Sequence, residues 1–143
     1  MMKTYLRTIV LIAAAAMLMP MLFALTGCAA DEEEPGISYI DWDDHDNRSG
    51  QFVEALLNGD FSIAAEGFDE DMTRMLDVKG LRKAWRDTVR VAGEFISMEE
   101  TESVENDEYD IYHVVTRHNR RDINTRIVFS HDGLIAGLFF TFI

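Results

Sequence analysis

The chain has little cysteine and few basic residues. These two shortages exclude internal disulfides and disfavour some classes of binding partner. Cys28 is the only cysteine among 143 residues, so the protein forms no internal disulfide. Lys and Arg number 13 against 26 Asp and Glu, which gives a formal net charge of −13. An overall field of this sign repels the phosphate backbone of nucleic acid. The composition therefore indicates a domain stabilised by its apolar core, and it disfavours nucleic acid as a partner.

Motifs for catalysis and metal binding are also missing. None of the serines lies in a G-x-S-x-G elbow, and no two histidines have the spacing of zinc ligands. The aspartates before residue 47 fail as an EF-hand loop, because its sixth position would be Asp46 rather than Gly and its twelfth Phe52 rather than Glu. We therefore expect no metal and no cofactor, and we favour a role other than catalysis.

The chain does contain an N-terminus typical of exported proteins. Lys3 and Arg7 precede a nearly unbroken apolar run, residues 8–24, as in the n- and h-regions of a secretory signal. The tetrapeptide Leu25-Thr26-Gly27-Cys28 follows and is similar to a lipobox, where bacteria attach a diacylglyceryl group to the cysteine and cleave before it. Residues 1–27 are therefore predicted to be a lipoprotein signal peptide, with cleavage between Gly27 and Cys28.

This interpretation predicts a protein held by lipid on Cys28 at the outer face of the bacterial cytoplasmic membrane. The mature chain would carry 11 basic and 26 acidic residues, a charge of −15, so acyl chains rather than charge must provide the membrane anchor. The alternative is an uncleaved transmembrane anchor, because the apolar run approaches the roughly 20 residues of a spanning helix. Either way the remainder is exported, since the positive charges precede the run.

The residues after Cys28 are predicted to form an acidic tether, residues 28–46, followed by one domain, residues 47–143. Dense acidic residues and few apolar ones are typical of a solvated segment. Tyr39, Ile40 and Trp42 are exceptions in this tether. We expect them to fold back onto the domain; a peptide that binds a partner is the alternative.

Hydrophobic spacing in the domain predicts helices followed by strands. The helices are expected at Arg48–Asn58, just after a capping Asp60, at Asp69–Leu76 with Met75 inward, and at Val78–Ala92. The strands are expected at Glu94–Thr101, Tyr109–Arg117, Asp122–Ser130 and Leu134–Ile143. This order predicts an α+β fold, in which the helices pack on a curved four-stranded antiparallel sheet.

The last predicted strand is apolar on both faces, although one helical layer can cover only one. Leu138, Phe140 and Phe142 would share one face, and Ile135, Phe139 and Ile143 the other. Exposed apolar patches often mark an interface. We therefore favour a homodimer through the sheet; a cover formed by the tether aromatics is the alternative.

Three stretches of the domain carry a family resemblance. They are FVEALLNGDF at residues 52–61, LRKAW at 81–85 leading to GEF at 93–95, and IVFSHDGLIAGLFF at 127–140. These resemble the domain of unknown function 3887, an exported bacterial family, and the order of elements resembles the nuclear transport factor 2-like, or cystatin-like, cone. The family occurs on lipoproteins and ahead of α/β-hydrolase domains. It has no agreed catalytic residues, so none is assigned here.

Two candidate sites follow. Trp85, Tyr112 and His113 could line a pocket in the cone, beside a small apolar ligand. The other candidate is a partner surface on the outer side of the longest helix, made of Lys79, Arg82, Lys83, Arg86 and Arg90.

We favour a binding or protein-interaction module over two alternatives. One is a small cone-fold enzyme doing acid–base chemistry with Asp110 or Glu94, the acids at strand starts. The other is an accessory domain that works with an exported hydrolase.

Overall fold

Four helices precede four strands in residues 36–105 and 107–143, the part of the chain that this computed structural model describes. The helices are α1 (Arg48–Asn58), α2 (Phe61–Ala65), α3 (Glu70–Met75) and α4 (Val78–Ala92). The strands are β1 (Phe95–Glu105), β2 (Tyr109–His118), β3 (Ile123–Ser130) and β4 (Ile135–Phe142). The predicted signal peptide, the cleavage site at Gly27 and Cys28, and the tether up to residue 35 lie outside the described residues.

The helix ends follow from local chemistry. Gly59 closes α1 with φ 85°, a left-handed conformation that suits glycine. The side chains of Asp69 and Asp77 cap α3 and α4 by accepting hydrogen bonds from Met72 N and Gly80 N, each at 2.7 Å. Asp60 precedes α2 as predicted, but its side chain makes no capping hydrogen bond.

The strands form one antiparallel sheet in the order β1-β2-β3-β4, and its curvature fits the predicted cone-like α+β fold. The helices pack on one face of this sheet, mainly against β2 and β4. The core combines apolar residues of α1 and α4 with one face of β2 and β3, namely Phe52, Val53, Leu56, Leu81, Trp85, Ala92, Tyr112, Val114, Ile123, Ile127 and Phe129. We call the opposite, helix-free side the outer face.

Because of a β-bulge, the side chains of the last strand do not lie on the faces that the sequence predicted. The register between β3 and β4 shifts between Val128 and Phe129, so that Phe129 pairs with Ile135. Ile135 is therefore fully buried in the core, whereas Phe139 lies on the outer face and is half exposed. The prediction that both side chains share one face was wrong, because the extra residue of a bulge reverses the alternation.

Two further expectations were wrong for reasons of packing. Met75 was placed inward, but it is exposed at the end of the short helix α3. β1 was expected to end at Thr101 and instead continues to Glu105, because pairing with β2 outweighs its acidic composition. His118, the last residue of β2, is buried, with its ring nitrogens near Gly93 O (3.0 Å) and Thr116 Oγ1 (3.1 Å).

The end of the predicted tether packs against the domain. Ile40 is buried in the core, and the Trp42 ring lies so close to Gly67 that a Cβ there would be 2.3 Å from it. The predicted fold-back is thus confirmed for Ile40 and Trp42, whereas Tyr39 is exposed. Neither side chain covers Phe139, so the described part of the tether does not shield the outer face.

Candidate functional site

The structure does not bring the three predicted pocket residues together. Tyr112 and His113 are neighbours on β2 and therefore point to opposite faces of the sheet. Tyr112 is buried on the core side, edge-on to Phe129 at 5.6 Å. Trp85 is also on the core side, but it packs against Phe140 at 5.3 Å. A single pocket lined by Trp85, Tyr112 and His113 does not form.

His113 has a structural partner on the outer face. Its Nδ1 lies 3.1 Å from the amide nitrogen of Asn124 and 3.3 Å from the amide oxygen, so it can form a hydrogen bond with this side chain in either tautomer. The residue is half-buried between Ile111 and Val115 along the same strand face. The contact satisfies one ring nitrogen of a histidine at the edge of an apolar patch.

A groove runs between α4 and the end of α1. Its volume is about 390 Å³. The floor is mostly apolar and includes Trp85, and two arginines of α4 stand at its rim. The lining residues are Leu56, Leu57, Asn58, Gly59, Phe61, Trp85, Arg86, Val89 and Arg90. This helix groove joins an apolar surface to positive charge within one concave site.

The five basic residues predicted to form a partner surface are all exposed on α4; we call Lys79, Arg82, Lys83, Arg86 and Arg90 the basic surface. Asp87 lies among them and pairs with Lys83 (2.6 Å) and Arg90 (2.8 Å). The hydrogen bond from Lys83 lowers the pKa of the Asp87 carboxyl, which stays ionised and neutralises part of the surface.

Three members of the basic surface form no ion pair within residues 36–105 and 107–143. These are Lys79, Arg82 and Arg86; the guanidinium of Arg82 instead lies 5.5 Å from the ring centroid of Phe61. Glu99 of the acidic strand β1 does not neutralise this surface, because it pairs with Arg117 of β2, and that hydrogen bond raises the pKa of Arg117. An exposed, unpaired Arg86 at an apolar groove is available to bind an anionic group.

A buried arginine is the feature that the sequence analysis missed. Arg48 opens α1 and is fully buried, with its guanidinium carbon 3.9 Å from the ring centroid of Phe129 and 5.7 Å from that of Tyr112. Its Nη2 lies 3.6 Å from Asp110 Oδ2, too far for a hydrogen bond. None of its three nitrogens has a hydrogen-bond partner among the described residues.

The two candidate acids of the sequence analysis, Asp110 and Glu94, lie in different surroundings. Asp110 is half-buried beside this guanidinium, where its charge offsets that of Arg48. Glu94 is exposed at the start of β1. Neither carboxylate lines the helix groove.

Two features are absent from the described residues, a helix that could span a membrane and a cluster of metal ligands. No helix there has both the length and the apolar character needed to cross a bilayer. No group of three or more His, Cys, Asp or Glu side chains in these residues is arranged to hold a metal ion.

Comparison with known proteins gives a family but no activity. Esterase EstD of Thermotoga maritima is 25% identical over 95 residues, which cover 66% of this chain and 23% of the esterase. The chain thus spans less than a quarter of that curated relative, and no solved structure matches it. A model of the family described as "Protein of unknown function (DUF3887)" matches residues 49–138. Since that match covers well over half of the chain, the protein belongs to the DUF3887 family.

Proposed function

We propose that this protein is a lipid-anchored, exported interaction module that binds an acidic partner through the basic surface and the helix groove. The predicted lipobox at Cys28 supports the anchor. The observation that carries the binding role is Arg86, which is exposed and unpaired among the described residues at the rim of a groove with an apolar floor. A partner segment that places a carboxylate on Arg86 and an apolar side chain in the groove satisfies both features.

Charge distribution favours an acidic protein segment as this partner. The domain as a whole is negative, so it repels an acidic segment everywhere except at the basic surface, which restricts such a partner to this site. Exposed ion pairs contribute only about 0–1 kcal/mol each, so affinity requires burial of an apolar side chain as well. The groove floor near Trp85 and Val89 provides that burial.

A matched pair of charge reversals tests this proposal. The probe is a fluorescent acidic peptide with one central leucine, titrated into the full mature protein. Arg86→Glu should weaken binding by at least about tenfold, or 1.4 kcal/mol. Arg120→Glu makes the same change in charge at an exposed turn residue outside the groove, and it should change the affinity less than about twofold. Equal losses from both variants, or no binding by the parent protein, would refute this binding role.

The similarity to Esterase EstD supports a second candidate, an accessory domain that acts beside an exported hydrolase. The 95 matching residues make up only 23% of the esterase, so we propose an accessory role rather than the activity of that whole protein. Hydrolysis of a short-chain ester by a co-expressed exported esterase, with and without this protein, tests the idea. An unchanged rate would remove this candidate.

We also propose a homodimer through the outer face of the sheet. Phe139 is half exposed there, and Ile111, Val115 and Val128 are only partly buried on neighbouring positions of the same face. Covering such side chains contributes about 25 cal/mol per Å² of apolar surface. A second copy could supply that cover, and a symmetric pair would leave both helix grooves open.

A further inference from the structure

β1 is an edge strand that no helix layer covers. It pairs with β2 on one side, and its other edge has no strand partner among the described residues. The helices pack mainly against β2 and β4. A strand in this position presents unpaired backbone N–H and C=O groups to its surroundings.

The side chains of β1 are unusually apolar for an exposed edge. Phe95 is 46% exposed, Ile96 63%, Met98 39% and Val104 54%. Ile96 is the extra residue of a bulge opposite β2, since the register jumps from Phe95 to Ser97. A second register shift follows Glu99, so regular pairing runs through two short stretches, Ser97–Glu99 and Glu102–Glu105.

The stretch of chain around β1 carries only acidic charges, although Arg117 of β2 pairs with Glu99. From Val91 to Thr116 there is no Lys or Arg, and the acidic residues are Glu94, Glu99, Glu100, Glu102, Glu105, Asp107, Glu108 and Asp110. Two copies of β1 paired with each other would bring acidic strands together, which is unfavourable. The exposed apolar side chains invite pairing, whereas the charges exclude an identical strand.

We propose that β1 is a docking edge for an extended, basic segment of another protein, which adds to the sheet as a fifth strand. Backbone hydrogen bonds would supply affinity, and alternate apolar and basic side chains of that segment would meet the apolar and acidic side chains of β1. This surface is separate from the basic surface of α4 and selects a partner of opposite charge.

An alternating Lys-Val octapeptide with blocked ends is a direct probe. We expect it to bind the full mature protein and to slow hydrogen exchange of β1 amides. A second peptide with the same side chains but N-methyl groups on alternate backbone nitrogens should bind at least about tenfold more weakly. Equal binding of the two peptides would show attraction by charge alone and would overturn strand addition, as would protection confined to other elements.

Matched variants locate the site and separate it from the proposed function. Ile96→Lys should weaken peptide binding at least about tenfold, and Leu134→Lys, the same kind of change at an exposed turn residue, should not. Arg86→Glu should leave the affinity for this peptide unchanged, so either surface can fail alone. If the parent protein self-associates and Ile96→Lys abolishes that association, a second copy occupies the edge and the proposal is wrong.

Discussion

The guanidinium of Arg48 stacks on Phe129, with its carbon 3.9 Å from the ring centroid, and so ties the first residue of α1 to the centre of the sheet. A desolvated contact of this kind contributes about 2 kcal/mol, which offsets part of the cost of burying the charge. Asp110 adds a longer ionic contact at 3.6 Å. Arg48 therefore depends more on the flat aromatic surface than on hydrogen bonds.

The loss of stability caused by a substitution of Arg48 should depend on whether a buried charge remains without that stacking contact. Arg48→Lys keeps a buried charge but loses the planar contact, so we expect it to lower the free energy of unfolding by about 2 kcal/mol. Arg48→Met keeps the apolar stem and removes the charge, and it should cost less than about 1 kcal/mol. Urea unfolding measures both. A lysine variant as stable as the parent protein would contradict the stacking argument.

The contact between Trp42 and Gly67 predicts a stability difference between two glycines. Gly67→Ala puts a Cβ 2.3 Å from the Trp42 ring, so the ring must move, at a cost of about 1–3 kcal/mol. Gly50→Ala is the control, because nothing lies within 4 Å of a Cβ there; inside α1 it should stabilise by about 0.5–1 kcal/mol. Tryptophan fluorescence together with denaturant melts checks both. Similar effects from the two changes would mean that Trp42 does not dock on Gly67.

The predicted lipid anchor is tested by Cys28→Ala. Removing the only thiol should abolish incorporation of radiolabelled palmitate and leave the precursor uncleaved, because the acyl acceptor is gone. Electrophoresis of labelled membranes reports both effects. Labelling at the parent level would end the lipoprotein interpretation, whereas an unlabelled parent protein that stays in the membrane would favour an uncleaved anchor.

The proposed dimer predicts a specific sensitivity at Phe139. The full mature protein in detergent should sediment as a dimer, and Phe139→Lys should make it a monomer by placing a charge in the apolar contact. Met75→Lys introduces the same charge at an exposed apolar residue of α3, away from the outer face, and should leave the dimer intact. A monomeric parent protein, or equal effects from both changes, would refute this interface.

The sequence was most informative where one local rule determined the structure. The bounds of α4 matched the prediction because apolar residues at helical spacing, such as Leu81 and Trp85, end at a glycine. Gly93 adopts φ 92°, and a Cβ there would lie 1.9 Å from Asn119 Oδ1, so another residue would clash. The α+β order and the turn at Gly133 followed from equally local patterns.

The features that sequence reasoning missed depend on distant contacts. Composition does not show that a bulge moves Ile135 to the core face, because the shift arises from pairing with β3. Arg48 was overlooked because arginine is rarely buried. One signal was available: Arg48, Phe52 and Leu56 are spaced by four residues and so share the buried stripe of α1.

The candidate site was predicted only in part. The exposed basic surface followed from helical spacing, since polar residues opposite a buried stripe face solvent. The pocket failed because Tyr112 and His113 alternate across β2, a period-two rule that the proposed trio ignored. The helix groove could not be foreseen, because it depends on how the end of α1 packs beside α4.

The strand order β1-β2-β3-β4 has a kinetic consequence. Each pairing joins strands that are consecutive in the chain, so only short turns must close before the sheet forms. Such low contact order is typical of rapid folding. The late contacts are those that join the two halves of the chain, such as Phe68 with Ile135 and Arg48 with Phe129. We therefore expect the meander to collapse first and the helices to dock last, a route that involves no exchange of internal disulfides because Cys28 is the only cysteine.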